Sequence, residues 1–344
     1  MNSTSAVQPS SLALHVTYTC PLTCKHCCFK SSPSNKDRLD YDLLAQTIEA
    51  LDASKYRLVA FTGGEPMLLG SKLVDLVSLA SRRGFKTRVV SSVHFAVRDN
   101  IASSRLAALR KAGLDELSIS WDDYHEEFVS FENVRRAVRI GLELGIGVAI
   151  SATEDQGSKW NSARIRSELG PLADALLTVC DSPLNKTGRA EIDLQDKQKL
   201  ATSHLGPCPY VLTGPTLSAK GKLLACCGVV PEIPSLVIDP HFEPSHLDGA
   251  MEKAQKSVLL NWLYVHGPFH LMKTIAAENG LPEPSSLDVG GNCEACQNVL
   301  TDPTYTRFLP DTLSAHADSV AGSLHALDAL GLLQDGRPIQ FMPA

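Results

Sequence analysis

A chain of 344 residues, 44% hydrophobic and 20% charged, is long enough for a large core and more than one domain. Its net charge of -6, with basic residues scattered, argues against a nucleic-acid surface or a polybasic membrane anchor. The first residues, MNSTSAVQPSSLALHV, lack the charged and apolar regions of a secretory signal, and no apolar run reaches the ~20 residues of a membrane span, so a cytoplasmic protein is expected. Ten cysteines in a reducing compartment then read as metal ligands or reactive thiols before they read as disulfides.

Residues 12–19, LALHVTYT, alternate as a short strand that runs into CPLTCKHCCFK, residues 20–30. A helix-like stretch follows at Leu43–Leu51, then an apolar strand at Tyr56–Gly64 closed by two glycines, then a helix over Leu73–Gly84 with a glycine stop. The alternation continues with strands FKTRVVSS, LDELSISW, GVAISAT and ALLTVC, separated by helices SRLAALRKAG, ENVRRAVRIGLELG and SARIRSELGPLA. Such alternation predicts a parallel sheet with covering helices. Six βα units within about 185 residues fall short of the eight that close a full barrel. The predicted fold is therefore α/β, a partial (β/α)6 TIM-like barrel over residues 12–195. Chemistry in such folds sits at the carboxyl ends of the strands, so the cysteine loop and the Gly63-Gly64 turn should face one cavity.

Residues 196–305 are rich in Pro, Gly and Cys, with short strand signals (TLSA, KLLACCGVV) and one helical stretch, AMEKAQKSVLLNWLYV. They predict a small, irregular second domain held together by metal. Residues 306–344 predict a helical tail, with HADSVAGSLHALDALGLL as its amphipathic helix.

Cys20, Cys24 and Cys27 form a CxxxCxxC pattern. Three thiolates on a tight loop can bind three irons of a [4Fe-4S] cube and leave the fourth iron open. Zinc would want a fourth close ligand, and Cys28 and His26 are badly placed to join the same tetrahedron. The plain alternative is a cysteine-rich loop that binds zinc or nothing. In Gly63, Gly64, Glu65 and Pro66, the glycines let backbone approach a small zwitterion, Glu65 could counter its ammonium and Pro66 stiffens the turn. The plain alternative there is an ordinary strand-to-helix turn.

CPLTCKHC after a first strand, with FTGGEP closing the second, resembles the radical S-adenosylmethionine (radical SAM) superfamily. The resemblance implies that Cys20, Cys24 and Cys27 hold a [4Fe-4S] cluster and that SAM binds its open iron. It further implies that Gly63, Gly64, Glu65 and Pro66 contact the methionine amino group. Reductive cleavage of SAM would give a 5′-deoxyadenosyl radical that abstracts hydrogen from a substrate C–H bond. His26 matches the aromatic or His residue frequent before the third cysteine. Ser120 and Asp122, in SISWDDYH, stand where relatives place ribose or substrate contacts, although Asp122 and Asp123 could equally cap the next helix. PLNKTGRA resembles the family's GRA turn, in which Arg189 could reach a carboxylate; otherwise Arg189 is a surface residue. VVSSVHF departs from the Thr-Asn-Gly type of third-strand ending, leaving Ser91, Ser92 and His94 as outlying candidates.

Cys208, Cys226, Cys293 and Cys296, spaced C-x12-G-x4-C and then a distant CxxC, resemble a twitch domain, the shortened form of the SPASM auxiliary-cluster domain. The resemblance implies one auxiliary [4Fe-4S] cluster with four protein thiolates. Gly221 suits a hairpin between two cysteine-bearing strands, and a zinc ribbon with four thiolate ligands is the alternative. A full SPASM domain would carry cysteines beyond Cys296, and none exists. Cys28, Cys180 and Cys227 are read as packed thiols, except that Cys180 ends the sixth strand at the expected mouth and could deliver a hydrogen atom to a substrate radical. Relatives of this kind modify ribosomally made peptides by crosslinks, thioethers or epimerisation, or oxidise small sugars and cyclitols. The expected substrate is a peptide, with oxidation or epimerisation of a small natural product or sugar as the alternative. A non-catalytic zinc or iron-sulfur scaffold is the rival from another class. About 11 residues precede the first strand, too few for an independent peptide-recognition domain, which would then be a separate protein. An electron donor such as flavodoxin or ferredoxin is implied, and neither nucleic acid nor membrane is an expected partner.

Overall fold

The computed structural model describes residues 6–174, 177–197, 205–226 and 233–333, and the chain divides into two compact units. Cys227 and residues 334–344 of the expected tail lie outside the described residues.

The larger unit spans residues 13–200 with 218–220. Its elements are β1 (Ser11–Thr17, entering the unit at Ala13), α1 (Tyr41–Ala50), β2 (Leu58–Gly63), α2 (Ser71–Arg82), β3 (Lys86–Ser91), α3 (Asp99–Ala112) and β4 (Glu116–Ser120). There follow a one-turn α4 (Asp123–Glu126), α5 (Phe131–Glu143), β5 (Gly147–Glu154), α6 (Ser162–Leu169), β6 (Leu177–Pro183) and α7 (Ala190–Asp193). The strands lie in chain order, β1 to β6, and each pairing from β2 to β6 is parallel.

Period-two alternation decides the two faces of this sheet. Val148, Ile150 and Ala152 of β5 are buried, while Gly147, Ala149, Ser151 and Thr153 are half-exposed. A Cβ on Gly141 of α5 would come 3.1 Å from Val148 Cγ2, so the buried face is the one α5 covers. Register carries that face across Val89, Leu117, Ile119 and Val179. Each such side chain contributes about 1.5–3 kcal/mol by burial. The opposite face bears two rungs of mainly small or polar residues, Val90–Ser118–Ala149–Thr178 and Ser120–Ser151–Cys180.

The second unit comprises residues 1–12, 201–217 and 221–344. It contains the short strands β7 (Thr216–Leu217), β8 (Leu223–Leu224) and β9 (Val237–Asp239), then helices α8 (Leu247–Gln255), α9 (Val258–Val265), α10 (Pro268–Glu278), α11 (Asn292–Thr301), α12 (Pro303–Thr306), α13 (Leu309–Ala315) and α14 (Ala317–Ala329). It is mainly helical, where an irregular domain was expected. Pro268 and Pro303 open helices instead of breaking them, because the first helical residue needs no N–H donor. The stretch expected as one helix, AMEKAQKSVLLNWLYV, is two: Ser257 interrupts it and accepts from Leu260 N at 3.3 Å as the cap of α9. One core runs through Val7, Trp262, Leu271, Val299, Val320 and Leu324, so residues from both chain ends join it. Among the described residues no helix is long and apolar enough to cross a membrane.

Candidate functional site

β1 leads within three residues to Cys20, and the loop it opens is pinned by backbone. Cys20 N donates to Ser32 O (3.1 Å), Cys27 N to Cys24 O (3.1 Å) and Lys30 N to Cys27 O (3.2 Å). Cys20 and Cys24 are buried and Cys27 is half-buried. Burial pushes the Cys20 thiol up to about 12, so a coordinated metal would be what makes it a thiolate at neutral pH. Among the described residues, the set of three His, Cys, Asp or Glu side chains close enough to share a single metal ion is His26, Asp122 and His125, whose ligand atoms all lie within 4.8 Å of one another. A zinc tetrahedron with Zn–S bonds of about 2.3 Å holds its sulfurs about 3.8 Å apart. The three loop thiols are not gathered into such a set, and three ligands suit a cube with one open iron better than a tetrahedron that needs four. The donor set therefore fits a cluster better than a single ion.

The GGEP motif packs against the approach to this loop. Gly64 N donates to Thr17 O (2.6 Å) and Glu65 N to Thr19 O (3.0 Å). A Cβ on Gly63, whose φ is +117°, or on Gly64 would run into those same carbonyls, which is why the positions are glycine. Pro66 begins a 3-10 turn at Pro66–Leu69. Glu65 is fully buried. Its carboxylate accepts from Met67 N (3.1 Å), Ser91 Oγ (2.9 Å), Ser92 N (3.1 Å) and Ser92 Oγ (2.7 Å), with His94 Nδ1 at 3.4 Å. Burial alone would raise its pKa, but His94, the Ser92 hydroxyl and the Met67 amide hold it below the usual carboxylate range. These contacts describe a post joining the ends of β2 and β3, where a free counter-charge was expected. Ser91, Ser92 and His94, outlying candidates in the sequence, are the residues that hold it.

The GRA turn also reaches the cysteine loop. Arg189 Nη1 donates to Cys24 O (2.7 Å), Nη2 to Ser31 O (2.5 Å) and its backbone N to Cys27 O (3.0 Å). Gly188, at φ +60°, lies so close to the Cys28 backbone that a Cβ would overlap it. Arg189 thus meets carbonyls of the loop, not the carboxylate expected for it, because the turn is pressed directly onto residues 24–31.

Asp122 caps α4 and does more. Oδ1 accepts from Tyr124 N (3.0 Å), His125 N (3.1 Å) and His125 Nδ1 (2.9 Å), Oδ2 accepts from Thr153 N (3.0 Å), and His26 Nε2 lies 3.5 Å from Oδ2. Burial opposes its charge, yet the two imidazoles and these donors hold its pKa well below the carboxylate range. His26 stacks on Tyr124 at 4.8 Å, and burial lowers its pKa to about 4. His125 and Tyr124 were missed in the sequence, although a His three residues after a capping Asp was the available signal. Ser120 and Cys180 share the rung with Ser151 on the face away from α5. Cys180 is exposed, its Sγ 3.6 Å from Ile150 O.

In the second unit, Cys293 and Cys296 lie in α11, and Asn292 before them accepts from Gly206 N (3.2 Å) and donates to Pro207 O (3.3 Å), beside Cys208. Leu212 N donates to Ala225 O (2.8 Å), bringing the strand before Cys226 to the same segment. Burial first, then the Cys208 thiol, raises the pKa of Cys296. The structure therefore ties together the three segments that carry the four cysteines. Gly221, at φ +74°, lies in the turn between β7 and β8 as expected, but Cys208 precedes the hairpin and Cys226 follows it.

Residues 14–151 match the family model described as the Radical SAM superfamily. This part of the chain is a radical SAM domain. The chain is 24% identical over 303 residues to "Putative peptide biosynthesis protein YydG" of Bacillus subtilis (strain 168), covering 84% of this chain and 91% of that protein. It is 34% identical over 122 residues to "PqqA peptide cyclase" of Gluconobacter oxydans (strain 621H), covering 34% of this chain and 32% of that one. The solved structure of native anSMEcpe with bound AdoMet and Kp18Cys peptide shares the fold, at TM-score 0.52 and 13% identity over 90% of this chain and 99% of that one. The radical SAM domain implies an enzyme that uses SAM and a SAM-binding [4Fe-4S] cluster, and the match contains both the cysteine loop and the GGEP turn.

Proposed function

We propose that this radical SAM enzyme modifies a ribosomally made peptide, by epimerisation, crosslinking or thioether formation. The carrying observation is the likeness to the peptide biosynthesis protein along 84% of this chain, supported over a shorter stretch by the peptide cyclase. In this reading the six parallel strands form an open partial barrel, and Cys20, Cys24 and Cys27 hold the first cluster. Cys208, Cys226, Cys293 and Cys296 hold one auxiliary [4Fe-4S] cluster in a twitch-like second domain. When bound, the first cluster and SAM supply one-electron cleavage of a carbon–sulfur bond and removal of hydrogen from an unactivated C–H bond.

The protein's own residues supply placement. Arg189 and Glu65 fix the loop and the GGEP backbone, and the rung Ser120–Ser151–Cys180 offers small polar groups to the substrate. For epimerisation, the S–H bond of Cys180 breaks as a C–H bond forms at the substrate carbon. The thiyl left behind takes one electron and one proton from an external flavodoxin- or ferredoxin-class donor. The leader of the substrate is bound by a separate recognition protein, and the reaction takes place in the cytoplasm.

Anaerobic reconstitution tests this reading. The expected result is about eight iron and eight sulfide per chain, as two cubes require, with 5′-deoxyadenosine formed from SAM and reductant. With a precursor peptide encoded by a neighbouring gene, deuterium incorporation from D2O at one Cα marks epimerisation, and loss of two mass units marks a crosslink. Zinc without sulfide would refute the enzyme reading, and turnover of a sugar with every peptide left unchanged would refute the peptide reading. Cys180→Ser should still cleave SAM but lose deuterium incorporation.

A further inference from the structure

Asp122 has more partners than a helix cap needs. One carboxylate oxygen satisfies the first amides of α4, the usual task of an N-cap. The other reaches Thr153 N on β5 (3.0 Å) and faces His26 in the cysteine loop (3.5 Å). His125 is fixed through Nδ1 at 2.9 Å, and its ring also meets the Cys24 thiol. Its ring and that of His26 pack edge to face at 4.8 Å. Tyr124, stacked on His26, is itself anchored by donating to Asp155 Oδ2 (2.5 Å), which Lys197 Nζ approaches to 3.2 Å. Asp122, Tyr124 and His125 thus all turn toward the stretch between Cys24 and Cys27. Asp122 is 1% exposed, and with five nitrogen neighbours its carboxylate has no room for a ribose hydroxyl.

We infer that Asp122 is a positioning residue for the cluster loop, acting through His125 on Cys24 and through His26 on the Cys24–Cys27 turn, and is not a contact to SAM. Partners of this kind fix ligand orientation, and removing them typically costs 10–100-fold in metal affinity. The inference rests on the first cluster being bound by Cys20, Cys24 and Cys27. Failure of that premise would show separately, as a wild-type protein with iron at the auxiliary set alone.

The test uses the reconstituted full chain with Asp122→Asn. Iron release from the SAM-binding cluster to a chelator should quicken about tenfold, release from the auxiliary cluster should not change, and the Kd for SAM should stay within twofold. The electron paramagnetic resonance spectrum of the reduced first cluster should also shift, which a general loss of stability would not produce. A tenfold weaker SAM affinity at unchanged iron release would overturn the inference in favour of a cofactor contact. If Asp122→Asn does not fold, His125→Gln carries the same test: faster release and a changed spectrum support the positioning role, and wild-type release with a wild-type spectrum overturns it.

Discussion

The two cysteine sets are built in opposite ways. In the larger unit three cysteines fall within eight residues, and the protein shapes their loop through bonds of Cys20 to Ser32 and of Arg189 to Cys24, Cys27 and Ser31, while Gly64 and Glu65 bond to Thr17 and Thr19 at its approach. In the second unit four cysteines come from three segments separated by up to about 66 residues of chain, gathered by helix packing and by the clasp of Asn292 on Gly206 and Pro207. A local ligand set is preformed by its own turn, whereas a dispersed one depends on the fold that gathers it and can hold that fold together in return.

Cysteine substitutions separate the two most sharply. Cys24→Ala should abolish SAM cleavage and lower iron from about eight to about four per chain, with the melting of the second unit unchanged. Cys296→Ala should also remove about four irons, but it should lower the melting midpoint of the second unit by roughly 6–12 °C, as about 3 kcal/mol does in a domain of this size. Iron analysis, SAM-cleavage assays and calorimetry read both variants. SAM cleavage surviving Cys24→Ala would refute the assignment of the first loop, and an unchanged calorimetric trace for Cys296→Ala would refute the structural dependence claimed for the second set.

A smaller effect is expected from the clamp on the first loop. Arg189→Lys keeps the charge but cannot span Cys24 O and Ser31 O with two donors of one planar group. One charge-assisted bond lost to a carbonyl costs about 1.5–3 kcal/mol. Chemical denaturation of the apoprotein should show that loss in the larger unit, with iron bound more slowly on reconstitution. Wild-type stability and loading would mean that the loop is shaped by its metal, and the contrast between the two sets would narrow.

The same contrast explains what could be read from the sequence. The six strands and the CxxxCxxC and GGEP motifs are local patterns, and all appear where the periodicity and spacing put them. The roles of Glu65, Arg189 and Asp122 were open in the sequence because each was an exposed-type residue in a turn that follows a strand. Their partners, Ser91 and Ser92, the carbonyls of Cys24 and Ser31, and the imidazoles of His26 and His125, lie 26 to 165 residues away or on an adjoining turn. The helices of the second unit were obscured by composition: Pro268 and Pro303 look like breakers until their place at the first helical position is known. Val7 gave no sign of joining the core that holds Trp262 and Leu324, since nothing local marks residues so far apart in the chain as parts of one cluster.

The least drastic probe is acid. His15 on β1 is fully buried, its Nδ1 3.1 Å from the Tyr18 hydroxyl and its ring edge to face with Phe29 at 4.4 Å, directly behind the cysteine loop. Burial lowers its pKa to about 3, so the folded protein keeps it neutral while the unfolded chain takes up a proton below about 6.5. The unfolded state then binds more protons, and stability, complete above about pH 6.5, falls by about 1.4 kcal/mol per unit as pH drops toward 3. His26, lowered to about 4 by burial, adds to the same slope over part of the range. His125, which burial would lower but the Asp122 charge raises well above its ordinary value, acts with the opposite sign, so the test is a difference: in urea unfolding at pH 6 and 5, His15→Phe should remove about 1.2 kcal/mol of the acid loss between those two pH values. The slope is the deciding quantity, because the substitution also changes packing against Phe29. An unflattened slope would mean that His15 can charge in place, and that the backing of the first loop is looser than its hydrogen bonds suggest.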